Sequence, residues 1–92
     1  MTAVVAVQSR PHAGGWECAV QVGGGASVSR HTVRVRAGDL ERLGRAGEKP
    51  EQLVTRAFEF LLAREPASSI LRDFELADIS RYFPDFERTI RL

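Results

Sequence analysis

Few side chains in this sequence could ligate a metal or serve as base or nucleophile: His12, Cys18 and His31 supply all its imidazole and thiol groups. A zinc module needs such ligands in close pairs with a fourth donor, and neither the spacing nor the fourth partner is present. Cys18 alternates in phase with Trp16 and Val20, which predicts a buried, inert thiol. His31 shares its phase with Val33 and Val35, which predicts a partly buried histidine with its hydrogen bonds satisfied inside the fold. Acyl-transfer chemistry would require a serine or cysteine beside a base that a third group orients, but the serines fall at turns and caps, and no nucleophile-elbow pattern occurs. Gly23, Gly24 and Gly25 follow a strand, as phosphate-binding loops do, yet no helix and no Lys-Ser/Thr pair comes next. They read as a hairpin connection, and the sequence predicts no catalytic site, no metal and no cofactor.

Two constellations point instead to binding. Arg30, Thr32, Arg34 and Arg36 fall on one face of a strand. A basic ribbon of this kind can enter a DNA major groove and read base edges through arginine. The plainer reading is a solvated sheet face whose arginines pair with Glu17 or with carboxylates of the helices. The second constellation is the apolar series Ile79, Tyr82, Phe83, Phe86 and Ile90, spaced i, i+3, i+4, i+7 and i+11. That density exceeds what one helix needs. It fits intramolecular cover for another helix, an interface with a second copy, or an interface with a protein partner.

The elements that must position these residues follow from periodicity. Residues 2–8 are rich in β-branched side chains and end at the turn-forming run Ser9 to Gly15; residues 16–22 and 27–36 alternate with a period of two. Three consecutive strands with short glycine-bearing links predict an antiparallel meander. Asp39 can cap a short helix over 39–43 ahead of Gly44. Pro50 suits the first position of a long helix over 50–65, which Pro66 should stop. Its apolar residues from Leu53 to Leu62 span an arc of about 200°, wider than a single sheet can cover. Short helices over 69–74, 76–83 and 84–91 are expected to cover the second side, with Ser68 or Ser69 as a cap and Pro84 between the last two. The predicted class is α+β: a three-stranded meander, then a short helix, one long helix packed on the sheet, and short carboxy-terminal helices.

Bulk properties narrow the function further. A chain of 92 residues with 43% hydrophobic residues can build one core and is too apolar for intrinsic disorder. Its net charge of +1 is far from that of a domain that binds nucleic acid by bulk electrostatics. Lys49 is the only lysine, an arginine bias that a GC-rich coding sequence also produces. One cysteine permits no internal disulfide, no window reaches membrane-spanning length, and the first residues lack a secretory pattern, so a cytoplasmic location is expected.

The stretch Pro50-Glu51-Gln52-Leu53-Val54, continuing through Phe58 to Pro66, Ser69-Ile70-Leu71 and Ile79 to Pro84, resembles a group of short uncharacterised bacterial proteins. The resemblance covers the carboxy-terminal half and implies a bacterial origin without an activity. The basic strand Arg30 to Arg36 followed by helices is also similar to ribbon-helix-helix or HicB-type antitoxins, although two preceding strands and an intervening helix break both patterns. The expected function is a non-catalytic interaction module that binds a protein partner or itself, as a homodimer, through apolar helix surface. The alternative is an antitoxin-like DNA-binding regulator.

Overall fold

The computed structural model describes residues 4–23 and 28–92. It is an α+β fold in which one sheet has strand order β1-β2-β3-β4. Strands β1 (Val5–His12), β2 (Gly15–Val22) and β3 (Ser29–Arg36) form the expected antiparallel meander. The glycine connection at 24–25 and the first residues of the expected strands at 2–3 and 27 lie outside the described residues. A fourth strand, β4 (Asp73–Glu75), pairs with β3 in parallel where a helix over 69–74 was expected. Only the short 3-10 turn Ala67–Ser69 forms in that region, and Phe74 points into the core from the strand.

β1 also outruns its expected end at Gln8, continuing through Ser9, Arg10 and Pro11 to His12. The turn contracts to Ala13 and Gly14, whose φ angles of 43° and 80° give the mirror-image geometry that suits a two-residue hairpin. Pro11 does not stop the strand, because β1 lies at the sheet edge, where a missing N–H can face away from the ladder.

The helices follow the expected order with shifted ends. Helix α1 (Ala37–Leu43) starts before Asp39, which acts from inside the first turn by accepting the Arg36 N–H at 3.1 Å. Helix α2 (Pro50–Leu62) ends a turn early, and the 3-10 turn Leu76–Asp78 leads into α3 (Ile79–Tyr82), followed by α4 (Phe86–Ile90). Gly44, which follows α1, is required there for a steric reason. Its φ of −79° is ordinary, but a Cβ there would sit 2.5 Å from the Leu40 carbonyl oxygen.

One sheet face is core. Cys18, Val20 and Val22 of β2 and His31, Val33 and Val35 of β3 are buried beneath α2, which contributes Leu53, Val54, Ala57, Phe58 and Leu61. The wide apolar arc of α2 is covered on its far side by the carboxy-terminal segment. Phe60 meets Phe83 and Phe86 edge-on, at centroid distances of 5.8 and 5.1 Å. Arg64 caps this cluster, its guanidinium 3.6 Å from the centre of the Phe60 ring.

Arg56 fastens the same layer. Its guanidinium donates to both carboxylate oxygens of Glu48, at 2.8 and 2.6 Å, and to the Ile90 carbonyl at 2.5 Å, joining the loop before α2 to the end of α4. Arg42 makes a parallel tie from α1 to Glu87 of α4.

Candidate functional site

The opposite sheet face carries the arginine row. Register places Arg10 opposite Glu17, Glu17 opposite Arg34 and Arg34 opposite Glu75, so charge alternates in sign across all four strands. Arg34 pairs with Asp73 at 2.7 Å and Arg36 with Glu75 at 3.1 Å. The Arg10 guanidinium beside Glu17 holds that carboxyl below the usual carboxylate range, and the Asp73 bond raises the Arg34 pKa. Arg30 is exposed and Thr32 half-buried, both on this face. β3 is therefore an interior strand, flanked by β2 and β4, and two of its three arginines are engaged by β4 carboxylates.

Of the three groups that could do chemistry, His12 is exposed at the end of β1, whereas Cys18 and His31 are enclosed. Burial pushes the Cys18 thiol up to about 11, which keeps it protonated near neutrality. His31 Nδ1 lies 2.8 Å from the Leu71 carbonyl, and Nε2 lies 2.9 Å from the Ser29 hydroxyl. The carbonyl can only accept, so Nδ1 carries the proton, and in the neutral ring Nε2 accepts from Ser29. Its ring also meets Phe58 edge-on at 5.3 Å. His31 thus fastens the segment entering β4 to β3, aided by the Thr32 N–H, which donates to the Arg72 carbonyl at 2.7 Å. Among the described residues no three His, Cys, Asp or Glu side chains converge as a metal site.

The carboxy-terminal apolar series divides. Ile79, Phe86 and Ile90 are buried in the core, Phe83 is half-buried against Phe60, and Tyr82 is 65% exposed. Tyr82 and Phe83 border an apolar cleft of about 300 Å³, walled by Leu61, Ile70, Phe74 and Ile79, with Leu71 at its mouth. Leu71 is 49% exposed, so the cleft opens between two large exposed side chains. Glu65, Ser69 and Asp78 supply the polar groups of its lining.

The cleft exists because the chain beyond α2 returns through a 3-10 turn rather than a helix, which turns Ile70 inward and leaves Leu71 outside. Leu71 was not separable from its neighbours by residue type, because an Ile-Leu pair gives no sign of which member will be covered. The pairing of β4 with β3, which sets the far wall, also leaves no local signature. No protein-family model, curated protein or solved structure matches this chain.

Proposed function

We propose that this chain is a small, non-catalytic protein-interaction module of bacterial origin, and that it binds an apolar side chain of a protein partner in the cleft between α2, the Ile70–Leu71 turn and α3. The observation that carries this reading is the cleft itself, apolar in its walls and flanked by the exposed Leu71 and Tyr82. Large apolar groups around a concavity, with polar groups beside them, are the usual makings of a recognition pocket. The enclosure of Cys18 and the double engagement of His31 support a role without chemistry of its own.

The test is peptide selection from a displayed random library, followed by NMR titration of the selected peptides. Selected peptides are expected to share an apolar anchor and to shift the resonances of Ile70, Leu71, Ile79 and Tyr82. Leu71→Asp should abolish their binding while leaving the fold intact, since Leu71 is half-exposed. Peptides that bind equally well to Leu71→Asp, or that perturb another face, would remove the cleft as the binding element.

The alternative, a DNA-binding regulator acting through Arg30, Thr32, Arg34 and Arg36, requires Arg34 and Arg36 to leave Asp73 and Glu75. A flanked interior strand also lacks the free ribbon shape that enters a groove. Retention of duplex DNA at low salt, with affinity falling steeply as salt rises and a shallower fall in Arg34→Ala/Arg36→Ala, would favour it over the interaction module.

A further inference from the structure

The two edges of the sheet are unlike. β4 is a three-residue edge with two acidic side chains, and the chain leaves it at once for a 3-10 turn. β1 is an eight-residue edge with no strand on its outer side among the described residues. Short, charged edges resist strand addition, whereas long uncharged ones invite it. From Val5 to Ser9, β1 carries no charge.

The hairpin fixes which backbone groups are open. A two-residue turn closes on a hydrogen-bonded pair, His12 with Gly15, so His12, Arg10, Gln8 and Ala6 direct their N–H and C=O toward β2. The bond from the Gly23 N–H to the Val4 carbonyl continues that series. Val5, Val7, Ser9 and Pro11 therefore point their backbone groups outward, and the residue with no N–H to offer falls in this outward set. The side chains of Val5 and Val7 lie on the core face but are only partly buried there.

We infer that β1 is a self-association edge, on which a second copy of this chain adds its own β1 in antiparallel fashion about a two-fold axis at Val7. In that register Val7 faces Val7 of the second copy and Val5 faces Ser9, so the outward N–H and C=O of all three residues are paired in both copies. Pro11 disfavours the registers on its own side of this one. A two-fold axis moved toward the hairpin, to Gln8 or Ser9, sets Pro11 opposite Val5 or Val7 and forfeits a bond. On the outer face Ala6 meets Gln8 and Val4 meets Arg10, so no like charges oppose each other. The pairing joins four strands from each copy into one continuous sheet. Because the β4 edge is short and acidic, assembly closes at two copies rather than extending into a filament.

The interface is separate from the cleft, which lies at the other end of the strand order, so each can fail without the other. Its test is sedimentation velocity over a concentration series from low to high micromolar. The wild-type chain is expected to move from its 10.2 kDa monomer mass toward twice that value. Ala6→Lys/Gln8→Lys, at two exposed positions, sets lysines against each other across the axis and should hold the protein at the monomer mass with an unchanged circular dichroism spectrum. Independently, Ala6→Cys/Gln8→Cys should form a covalent dimer on mild oxidation, because these residues face each other as a non-hydrogen-bonded pair at disulfide distance. The inference is overturned by a wild-type chain that stays monomeric throughout, by a dimer that persists with both lysines or disappears in Leu71→Asp instead, or by failure of the cysteine variant to cross-link.

Discussion

Replacing Arg56 by methionine removes a side chain that spans three segments: the loop at Glu48, α2 itself and the last turn of α4. Methionine keeps the apolar length of the arginine stem, so the loss is electrostatic. The pair is well enclosed, with the Arg56 side chain 16% exposed and that of Glu48 7% exposed, so solvent screening is weaker than for a surface pair. Removing one partner strands the other charge in a poorly solvated place, which typically costs about 3–5 kcal/mol, and the Ile90 carbonyl loses a donor as well. Against a total stability of about 5–14 kcal/mol for a chain of this length, Arg56→Met should consume a large share. The assay is urea denaturation followed by the fluorescence of Trp16, the sole tryptophan. Glu48→Gln combined with Arg56→Met should lose less than the sum of the two single changes, because it no longer leaves a stranded carboxylate.

The acid limb gives a second reading of the same pair. Arg56, bonded to both oxygens, holds the Glu48 carboxyl below its ordinary value of 4.5. A group depressed in the folded state contributes stability that is fully present above the unfolded value and is lost as pH falls through the lower folded value. The wild type should therefore weaken below about pH 4.5, whereas Arg56→Met, which no longer depresses Glu48, should weaken less, so the gap between them narrows. A loss under ~1 kcal/mol at neutral pH, or a gap that widens in acid, would refute the account of an enclosed pair.

Other consequences are as specific. Glu17, Glu51 and Glu87 are also held below the usual carboxylate range: Glu17 by Arg10, Glu51 by the backbone N–H at the start of α2, and Glu87 by Arg42. Stability measured by urea midpoint should accordingly fall between neutral pH and strong acid, and a flat profile would contradict these bonds. His31→Ala should cost about 2–4 kcal/mol, since it opens a void beside Phe58 and leaves the Leu71 carbonyl without its donor; equilibrium unfolding checks this, and a neutral result would mean that the ring carries no structural load. Gly44→Ala should destabilise by about 1–3 kcal/mol despite an ordinary φ, because the new methyl group meets the Leu40 carbonyl. Cys18 should resist an aromatic disulfide reagent at mildly alkaline pH in the native protein and react fully in urea; fast native reaction would show that the thiol is not enclosed.

Periodicity carried the parts of the fold that depend on one face being wet and the other dry. The alternation of Trp16 to Val22 and of Ser29 to Val35 identifies β2, β3 and their buried sides, and the wide apolar arc of Leu53 to Leu62 correctly demands a second cover for α2. Pro11 misled because its chemistry forbids a central strand but not an edge strand, and edge position is a property of the sheet rather than of the residue. β4 was missed because three residues give no period, and because their strand conformation comes from β3 rather than from Asp-Phe-Glu. The site divides in the same way. That Ile79, Phe86 and Ile90 are apolar enough for an interface was legible, whereas their burial in the core, with Phe86 against Phe60 of α2, depends on tertiary contacts that residue type does not reveal.

The parallel pairing of β4 bears on the order of assembly. The β1-β2-β3 hairpins close over short chain separations, whereas the His31 to Leu71 bond joins residues forty apart and must await the helices between them. The strand that closes last is also a wall of the cleft, so this side of the molecule should open by local unfolding at lower free energy than the meander. The Thr32 amide, bonded to Arg72, would then exchange with solvent hydrogen sooner than the amides shared by β2 and β3. A ligand seated against Phe74 would slow that exchange at a strand it never touches.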